Sequence, residues 1–208
     1  MALTPAVFLD KDGTLLVDEP YNVDPARMAF APGAFAGLCR LAALGIPLIV
    51  VSNQPGVELG YFREARLEDV RQRLAGMFRA AGGRLAGFYY CPHAPSGTRC
   101  RCRKPAPGLL RRAALEHGVD LERSWMIGDI LHDVEAGNRA GCRTVLLDVG
   151  NETEWVAGAH RVPTARAPDL AAAAHFVAGE LGCGARRTGT PLTLVAASSA
   201  GGAHREAA

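Results

Sequence analysis

The sequence predicts an α/β fold: a doubly wound parallel sheet with helices on both of its faces. Short apolar runs alternate along the chain with segments of helical periodicity, and this order is typical of a parallel sheet. The runs near the middle of the chain are apolar almost throughout, as strands buried on both faces should be. We predict strands over residues 6–9, 47–51, 85–90, 124–127 and 143–147.

The helices are predicted in the intervals between and after these strands. Between residues 67 and 81, apolar side chains recur at helical spacing. Pro107 suits the first turn of a helix, Gly118 suits a C-terminal end, and Asp169 is a good N-cap. The predicted helices cover residues 33–44, 63–81, 107–117, 133–140 and 170–181.

Length and composition favour one globular domain. The chain has 208 residues, of which 49% are hydrophobic, and this is enough to build a full core. We predict that the domain covers residues 1–182. From residue 183 to residue 208 the chain consists largely of Gly, Ser, Thr, Arg and Ala with little periodicity, which predicts a disordered tail.

Charge and hydropathy limit the classes of partner. The formal net charge of +2 gives no electrostatic reason to expect binding to nucleic acid or to an anionic membrane. No stretch is long and apolar enough to span a bilayer, and the N-terminus does not resemble a signal peptide. We expect a cytoplasmic, monomeric protein that acts on a small molecule, with its Cys residues reduced unless they bind metal.

Two acidic residues directly follow the first predicted strand. Asp10 and Asp12 lie at its carboxyl end, where ligands bind in parallel α/β sheets. Their offset of two positions on extended chain directs both carboxylates to the same side, where they repel and require a cation or a shared proton. Because Asp12-Gly13 is also a common turn dipeptide, this segment alone leaves a turn and a reactive site equally open.

Polar residues at two further strand ends favour the reactive site. Ser52 and Asn53 follow the second predicted strand, and Asp129 follows the fourth. The carboxyl ends of parallel strands meet at one edge of the sheet, so these side chains are expected to lie near Asp10. Either segment by itself could be an ordinary loop. Polar residues at the carboxyl ends of three predicted strands are explained better by a shared site than by chance.

The order and spacing of these motifs resemble the haloacid dehalogenase superfamily of phosphotransferases. The resemblance covers residues 6–150 and implies a magnesium-dependent phosphatase that forms a covalent intermediate. The motifs that carry it are Asp-x-Asp-Gly-Thr from Asp10, Ser52-Asn53, Lys104, and Gly-Asp at Asp129 with Asp133 four residues later.

The resemblance assigns roles to the acidic residues. Asp10 would attack phosphorus and form an aspartyl-phosphate, while Asp12 would protonate the leaving alkoxide and then deprotonate water. Asp10 and Asp129, with the backbone carbonyl of Asp12, would hold Mg²⁺, a hard cation suited to oxygen ligands. Asp133 would bond either to Lys104 or to a metal-bound water.

The resemblance also implies a phosphoryl-binding group of polar and basic residues. Ser52, Asn53 and Lys104 would hold the phosphoryl oxygens and balance charge in the transition state. Lys104 has an alternative interpretation as an exposed side chain beside Arg103 in a turn. Lys11, between the two acidic residues, is expected to be solvated or to lie behind the site.

Three thiols and one imidazole occur in the segment after the third predicted strand. Cys91, His93, Cys100 and Cys102 have the chemistry of a tetrahedral zinc site, although their spacing differs from the common Cys-x-x-Cys pattern. A disulfide or free thiols would be the alternative, and a reducing compartment favours zinc over a disulfide.

The pattern CPH…CxCRKPxPG in this segment is similar to the histidinol-phosphatase branch of the superfamily, and within it to the heptose 1,7-bisphosphate 7-phosphatases. That branch carries a structural zinc in this loop in place of a cap domain, so Zn²⁺ is expected here without a part in phosphoryl transfer. The resemblance implies removal of the 7-phosphate of D-glycero-D-manno-heptose 1,7-bisphosphate in ADP-heptose and lipopolysaccharide precursor synthesis. Histidinol phosphate, another sugar phosphate, and a catalytically degenerate zinc-stabilised binding protein are the alternatives.

Two positions depart from the heptose bisphosphate pattern. Leu59 stands where these phosphatases have Arg, and Ile130 stands where many of them have Lys. Both changes remove positive charge from the expected pocket. A second phosphate would then depend on Arg103 or Arg101, the remaining basic residues nearby.

Overall fold

The computed structural model describes residues 2–95 and 100–187, and these form a six-stranded, all-parallel sheet with helices on both faces. The predicted fold class is confirmed. The strands are β1 (Val7–Leu9), β2 (Leu48–Asn53), β3 (Leu85–Cys91), β4 (Trp125–Gly128), β5 (Arg143–Leu147) and β6 (Ala165–Ala167). The helices are α1 (Ala34–Ala42), α2 (Arg66–Ala80), α3 (Gly108–His117), α4 (Leu131–Ala140) and α5 (Leu170–Arg187).

The strand order is β3-β2-β1-β4-β5-β6, which places β1 at the centre. Leu9 at the end of β1 pairs with Val50 of β2 on one side and with Ile127 of β4 on the other. The strands that follow β1 are therefore added first on one side of it (β2, β3) and then on the other (β4, β5, β6). The connections on the two sides diverge, and a crevice opens at the carboxyl ends of the central strands. Crevices of this kind are where open parallel sheets bind their ligands.

Successive residues of β1 pack into separate cores on the two faces of the sheet. Val7 and Leu9 lie in a cluster with α1, α2 and α5, whereas Phe8 lies in a second cluster with Leu109 and Leu110 of α3. All three β1 side chains are buried, as the uninterrupted apolar run predicted. This double burial fixes the register of β1 and hence the position of the residues that follow it.

The structure differs from the sequence-based prediction at several element boundaries. β2 continues through Asn53, so Ser52 and Asn53 end the strand instead of following it. β6 has three residues, and so short a strand offers no periodicity to detect. The last helix extends to Arg187, past the predicted domain boundary at residue 182. The rest of the predicted tail, residues 188–208, lies outside the described residues.

Candidate active site

Asp10 and Asp129 meet at the crevice because the strands that precede them are neighbours. The backbone N–H of Asp10 donates to the carbonyl of Ile127 in β4, at 3.0 Å, and so extends the β1–β4 pairing by one residue. Asp129 directly follows β4. Carboxylate oxygens of Asp10, Asp129 and Asp133 lie within 4.8 Å of one another, and all three residues are buried. The structure thus brings the predicted acidic residues together.

Lys104 supplies the positive charge inside this acidic cluster. Its side chain is buried, and its Nζ donates to the Asp10 carboxylate and to the carbonyl of Val51, the latter at 3.1 Å. The same Nζ lies 2.6 Å from Oδ1 of Asp133. Burial opposes the ammonium charge, but the two carboxylates outweigh it and raise the pKa of Lys104. Lys104 is therefore a charged group of the site and not an exposed turn residue.

Asp133 lies in the first turn of α4 and is completely buried. Its Oδ2 accepts the backbone N–H of Ile130 at 3.3 Å, which satisfies an N-terminal donor of the helix. Burial raises the pKa of Asp133 to about 6, although Lys104 opposes this shift. Of the two partners considered for Asp133, the structure has it paired with Lys104.

Asp129 is held by one hydrogen bond on each carboxylate oxygen. Thr14 Oγ1 donates to Oδ1 at 2.8 Å, and Asn151 Nδ2 donates to Oδ2 at 2.9 Å. Burial raises the pKa of Asp129 to about 8, with further contributions from Asp10 and Asp133. Gly13, at φ +80°, lies against this carboxylate, and a Cβ there would be 2.2 Å from Oδ2 of Asp129. The Asp-Gly-Thr segment after β1 therefore also helps to position Asp129, which follows β4.

Asp12 lies at the mouth of the cluster and is contacted by two donors. Lys11 Nζ lies 2.5 Å from Oδ1 of Asp12, and Gln54 Nε2 lies 3.3 Å from Oδ2. Lys11 is 1% exposed, so the prediction that it could be solvated is wrong. It lies behind the site as a buried counter-charge. Burial raises the pKa of Asp12, although Lys11 opposes the shift.

Ser52 and Asn53 reach the site in different ways. Ser52 is buried, and its hydroxyl accepts from Gln54 Nε2 at 2.7 Å. The Asn53 side chain clamps the main chain of Lys104: Nδ2 donates to the Lys104 carbonyl at 3.1 Å, and the Lys104 N–H donates to Oδ1 at 3.0 Å. Asn53 thus positions the backbone from which the Lys104 side chain enters the cluster.

A cavity of about 310 Å³ opens over these residues. Arg103 and Ile130 line it, whereas Arg101 lines a separate groove along β3. His132 also lines the cavity, and burial together with Arg161 lowers its pKa, which favours the neutral imidazole. Of the two arginines considered for a second phosphate, only Arg103 belongs to this cavity. The other polar residues that line it are Asp10, Asp12, Asp18, Glu19, Tyr21, Asn22, Ser52, Asn53, Gln54, Lys104, Asp129 and Asn151.

Cys91, His93, Cys100 and Cys102 converge on the side of the separate groove, which His93, Cys100 and Cys102 line, with their ligand atoms all within 4.8 Å of one another. The sulfur–sulfur separations are 3.2 Å for Cys91–Cys102 and 3.7 Å for Cys91–Cys100. His93 Nδ1 lies 3.3 Å from the Sγ atoms of Cys91 and Cys102. Zinc–ligand bonds of about 2.0–2.3 Å in a tetrahedron place neighbouring ligands about 3.4–3.8 Å apart. The observed set is close to those spacings and could hold a zinc ion.

Main-chain and side-chain hydrogen bonds join this Cys/His loop to the catalytic cavity. The Arg103 guanidinium donates to the His93 carbonyl at 3.1 Å, and the Gln54 N–H donates to the Cys91 carbonyl at 2.7 Å. Glu58 accepts the N–H of Ala94. The loop is therefore fixed to the end of β2 and to Arg103, which faces the cavity.

Comparisons with known proteins agree with this geometry. Residues 101–173 match the HAD-hydrolase-like family. The D-glycero-beta-D-manno-heptose-1,7-bisphosphate 7-phosphatase of Helicobacter pylori is 38% identical over 152 residues, which cover 73% of this chain and 87% of the relative. The protein of the same name from Escherichia coli K12 is 35% identical over 167 residues, with 73% and 87% covered. The chain belongs to the haloacid dehalogenase (HAD) family of phosphatases.

Solved structures place this HAD phosphatase among the same relatives. The D,D-heptose 1,7-bisphosphate phosphatase of B. bronchiseptica, complexed with magnesium and phosphate, has a TM-score of 0.76 and 31% identity, and covers 85% of this chain and 99% of its own. The D,D-heptose 1,7-bisphosphate phosphatase of Burkholderia thailandensis has a TM-score of 0.61 and 25% identity, with 83% and 97% covered. The predicted family and phosphatase activity are confirmed.

Sequence reasoning missed several residues of the site. Gln54, Thr14 and Asn151 each contact a predicted acidic residue, yet none was assigned a role. Thr14 and Gln54 had a signal, because Thr14 completes the Asp-x-Asp-Gly-Thr motif and Gln54 directly follows Ser52 and Asn53 at the end of β2. Asn151 follows β5, whose end was not considered as part of the site. Within the described residues, no helix of this HAD phosphatase is long and apolar enough to cross a membrane.

Proposed function

We propose that Asp10 is the nucleophile and Asp12 the general acid and base of phosphomonoester hydrolysis. A carboxylate oxygen of Asp10 attacks phosphorus, the ester P–O bond breaks, and Asp12 gives its proton to the leaving oxygen. Water then attacks the aspartyl-phosphate and gives a proton to Asp12. This step releases inorganic phosphate and restores the Asp10 carboxylate and the protonated Asp12. The burial of Asp10 beside Lys104, with Asp12 at the mouth of the same cavity, carries this proposal.

Phosphate and substrate binding is assigned to Ser52, Asn53 and Lys104 for the transferred phosphoryl group and to Arg103 for a second phosphate. Lys104 and Ser52 are buried residues that line the cavity, where they can stabilise the negative charge of the transferring group. Asn53 contributes by holding the Lys104 backbone. Asp133 keeps the Lys104 ammonium charged and oriented.

Mg²⁺ is the proposed metal of the acidic cluster. Asp10, Asp129 and Asp133 bring three buried carboxyl groups together, and Lys104 supplies one positive charge against them. Oxygen donors of this kind suit Mg²⁺. Asp10 and Asp129, with the backbone carbonyl of Asp12, would hold it, while Asp133 stays paired with Lys104. The ion would offset the repulsion between the attacking carboxylate and the phosphoryl oxygens.

Zn²⁺ is the proposed occupant of the Cys/His cluster. Cys91, His93, Cys100 and Cys102 would fill all four positions with protein ligands, which is typical of a closed structural site. Its role would be to hold the loop that carries Arg103 at the cavity. This assignment leaves phosphoryl transfer to the acidic residues and Lys104.

The proposed substrate is D-glycero-D-manno-heptose 1,7-bisphosphate, cleaved at the 7-position. Support comes from relatives of that name at 35–38% identity. Arg103 is the cavity residue suited to the second phosphate, since Ile130 carries no charge and Leu59 is 42% exposed on the loop after β2. The loss of two positive charges relative to that family makes other sugar phosphates and histidinol phosphate the necessary comparison.

Phosphate release by wild type and Asp10→Asn tests the proposal. The panel contains heptose 1,7-bisphosphate, heptose 7-phosphate, histidinol phosphate and other sugar phosphates, each with Mg²⁺. We expect fastest turnover of the bisphosphate and loss of turnover in the variant. Asp10-dependent turnover of a different ester would replace the substrate and retain the mechanism. Absence of Asp10-dependent turnover on every ester would reject the mechanism and favour a binding protein.

A further inference from the structure

Gln54 is buried between two proposed reactive groups, and the mechanism above gives it no task. It is 4% exposed. Its Nε2 donates to Ser52 Oγ at 2.7 Å and to Asp12 Oδ2 at 3.3 Å. A side-chain amide nitrogen carries two hydrogens, so both are used in these contacts.

The main chain of Gln54 is fixed as firmly as its side chain. Its N–H donates to the carbonyl of Cys91 at 2.7 Å, immediately after the last β2–β3 pair, which joins Asn53 to Cys91. The backbone of Gln54 is therefore held at the end of β2. Its buried side chain has few alternative rotamers because both amide hydrogens are engaged, so it can hold the groups it contacts in fixed positions.

The two oxygens of Asp12 are not equivalent. Oδ1 lies 2.5 Å from the ammonium of Lys11, whose side chain is 2% exposed. Both oxygens accept from a donor, but the charged ammonium at Oδ1 favours negative charge there more strongly than the neutral Gln54 amide, at 3.3 Å, does at Oδ2. The proton for the leaving group is therefore assigned to Oδ2, the oxygen that Gln54 contacts.

We propose that Gln54 is a positioning residue that holds Oδ2 of Asp12 in the orientation needed to protonate the leaving oxygen of a phosphoryl group bound at Ser52. The inference rests on the proposed function, since it assigns the orientation of the general acid in that mechanism. One amide links the proton donor to a phosphoryl ligand. Removing it frees Asp12 to rotate away from the leaving oxygen while Lys11 still holds Oδ1.

Misplacement of the acid has a specific kinetic signature. A leaving group of low pKa departs without a proton, whereas one of high pKa needs the proton in the transition state. Loss of Gln54 should therefore slow esters in proportion to the basicity of their leaving groups. Loss of a phosphoryl ligand or of general structure should slow every ester by a similar factor.

The test is the dependence of kcat/KM on leaving-group pKa across a series of substituted phenyl phosphates. The proteins are wild type, Asp10→Asn, Gln54→Leu, Gln54→Glu, Ser52→Ala and Gln72→Leu, all as the full chain with Mg²⁺. Because kcat/KM covers only the steps up to leaving-group departure, it isolates the acid function of Asp12. We expect Gln54→Leu to lose less than about 3-fold on p-nitrophenyl phosphate and at least about 10-fold on the most basic phenol.

The companion variants separate positioning from other effects. Gln54→Glu keeps size but removes both donors, so it should steepen the dependence as Gln54→Leu does. Ser52→Ala should lower all esters in parallel, and Gln72→Leu, a change at an exposed glutamine on α2, should match wild type. If plots of log kcat/KM against leaving-group pKa had the same slope for wild type and both Gln54 variants, the inference about Gln54 would be overturned and the proposed mechanism would stand. If wild type hydrolysed none of these esters in an Asp10-dependent manner, the proposed mechanism would fail, and the inference with it.

Discussion

The ammonium of Lys104 lies 2.6 Å from the carboxylate of Asp133, and their side chains are 2% and 0% exposed. The Lys104 side chain also reaches Asp10, so one buried cation serves two carboxylates. Pairing of this kind removes the cost of isolated buried charge, and breaking it by deleting one partner is strongly destabilising. The arrangement makes Lys104 important for folding as well as for its proposed part in phosphoryl binding.

Lys104→Met should lower the free energy of unfolding by about 3–5 kcal/mol at pH 8, because two buried carboxylates lose their counter-charge. The loss should be smaller at pH 5, below the pKa of about 6 of Asp133, where that carboxyl is protonated. Urea unfolding at both pH values measures it. Lys11→Met is the matched control: its partner Asp12 has a side chain that is 29% exposed, so the loss should be smaller. Equal destabilisation by Lys104→Met at pH 5 and pH 8 would contradict the charged pairing of Lys104 with Asp133.

Mg²⁺ should stabilise the protein more at pH 8.5 than at pH 6.5. The pKa of Asp129 is raised to about 8 in the metal-free fold, above its ordinary value of 3.8. The folded protein therefore binds more protons than the unfolded chain in this window, and metal-free stability falls as pH rises through it. Below pH 8, Mg²⁺ must displace a proton, and this weakens binding.

Thermal unfolding with and without a fixed Mg²⁺ concentration checks this pH dependence. Asp129→Asn should show a small shift in Tm that is the same at both pH values. An equal Mg²⁺-induced shift in wild type at pH 6.5 and 8.5 would show that Asp129 is not the proton-linked ligand.

Asn151→Ala should weaken divalent-metal binding by about 10–100-fold, because Asn151 holds Oδ2 of the proposed ligand Asp129. Mn²⁺ binding measured by electron paramagnetic resonance, without substrate, gives the affinity directly. Asn138→Ala is the control, since Asn138 donates to the carbonyls of His160 and Val162 and so anchors the same loop away from Asp129. If both variants lost the same affinity, loop anchoring and not the carboxylate contact would be responsible.

Arg103→Leu should raise KM for heptose 1,7-bisphosphate by about 10–100-fold, as expected for the loss of a charge-assisted contact to phosphate. KM for heptose 7-phosphate should change by less than about 3-fold, because the second anion is absent. Steady-state kinetics on both substrates gives the ratio. Arg101→Leu, on the separate groove, is the matched control and should leave both values unchanged. A similar rise for both substrates would place Arg103 at the transferred phosphate instead.

Cys102→Ser should lower zinc content and raise KM, because the ligand loop sets Arg103 through the carbonyl of His93. Zinc is measured by elemental analysis of the purified protein, and KM by phosphate release. Cys142→Ser provides the comparison, since Cys142 is a buried cysteine that is not one of the four clustered ligands, so the variant should retain zinc. Zinc loss with unchanged kinetics would show that the metal does not shape the substrate-facing loop.

Short motifs and strand periodicity were sufficient to predict which acidic residues meet at one edge of the sheet. Asp10 and Asp129 follow apolar runs whose burial on both faces requires a parallel sheet, and parallel strands bring their carboxyl ends to one edge. The ligand atoms of the Cys/His cluster were likewise identifiable from residue chemistry, since three thiols and an imidazole in one loop have few other uses.

Contacts between segments distant along the chain were not predictable. The burial of Lys11 depends on how the loop after β1 packs over the sheet. From sequence alone a lysine is expected to be exposed to solvent, because lysine is rarely buried unless it is paired. The Gln54–Asp12 and Asn151–Asp129 contacts join residues that share no periodic pattern. The three-residue β6 is recognised only through its pairing with β5.

The sequence by itself determined the fold class through local apolar periodicity, and the motifs at its strand ends identified the phosphatase family by resemblance. Only the tertiary structure decided which charges face each other: Lys104 with Asp10 and Asp133, Lys11 with Asp12, and Arg103 at the cavity while Arg101 lies outside it. The physical reason is distance. Coulombic and hydrogen-bond energies depend on separations of a few ångströms, and these are set by packing between elements that the linear order does not specify.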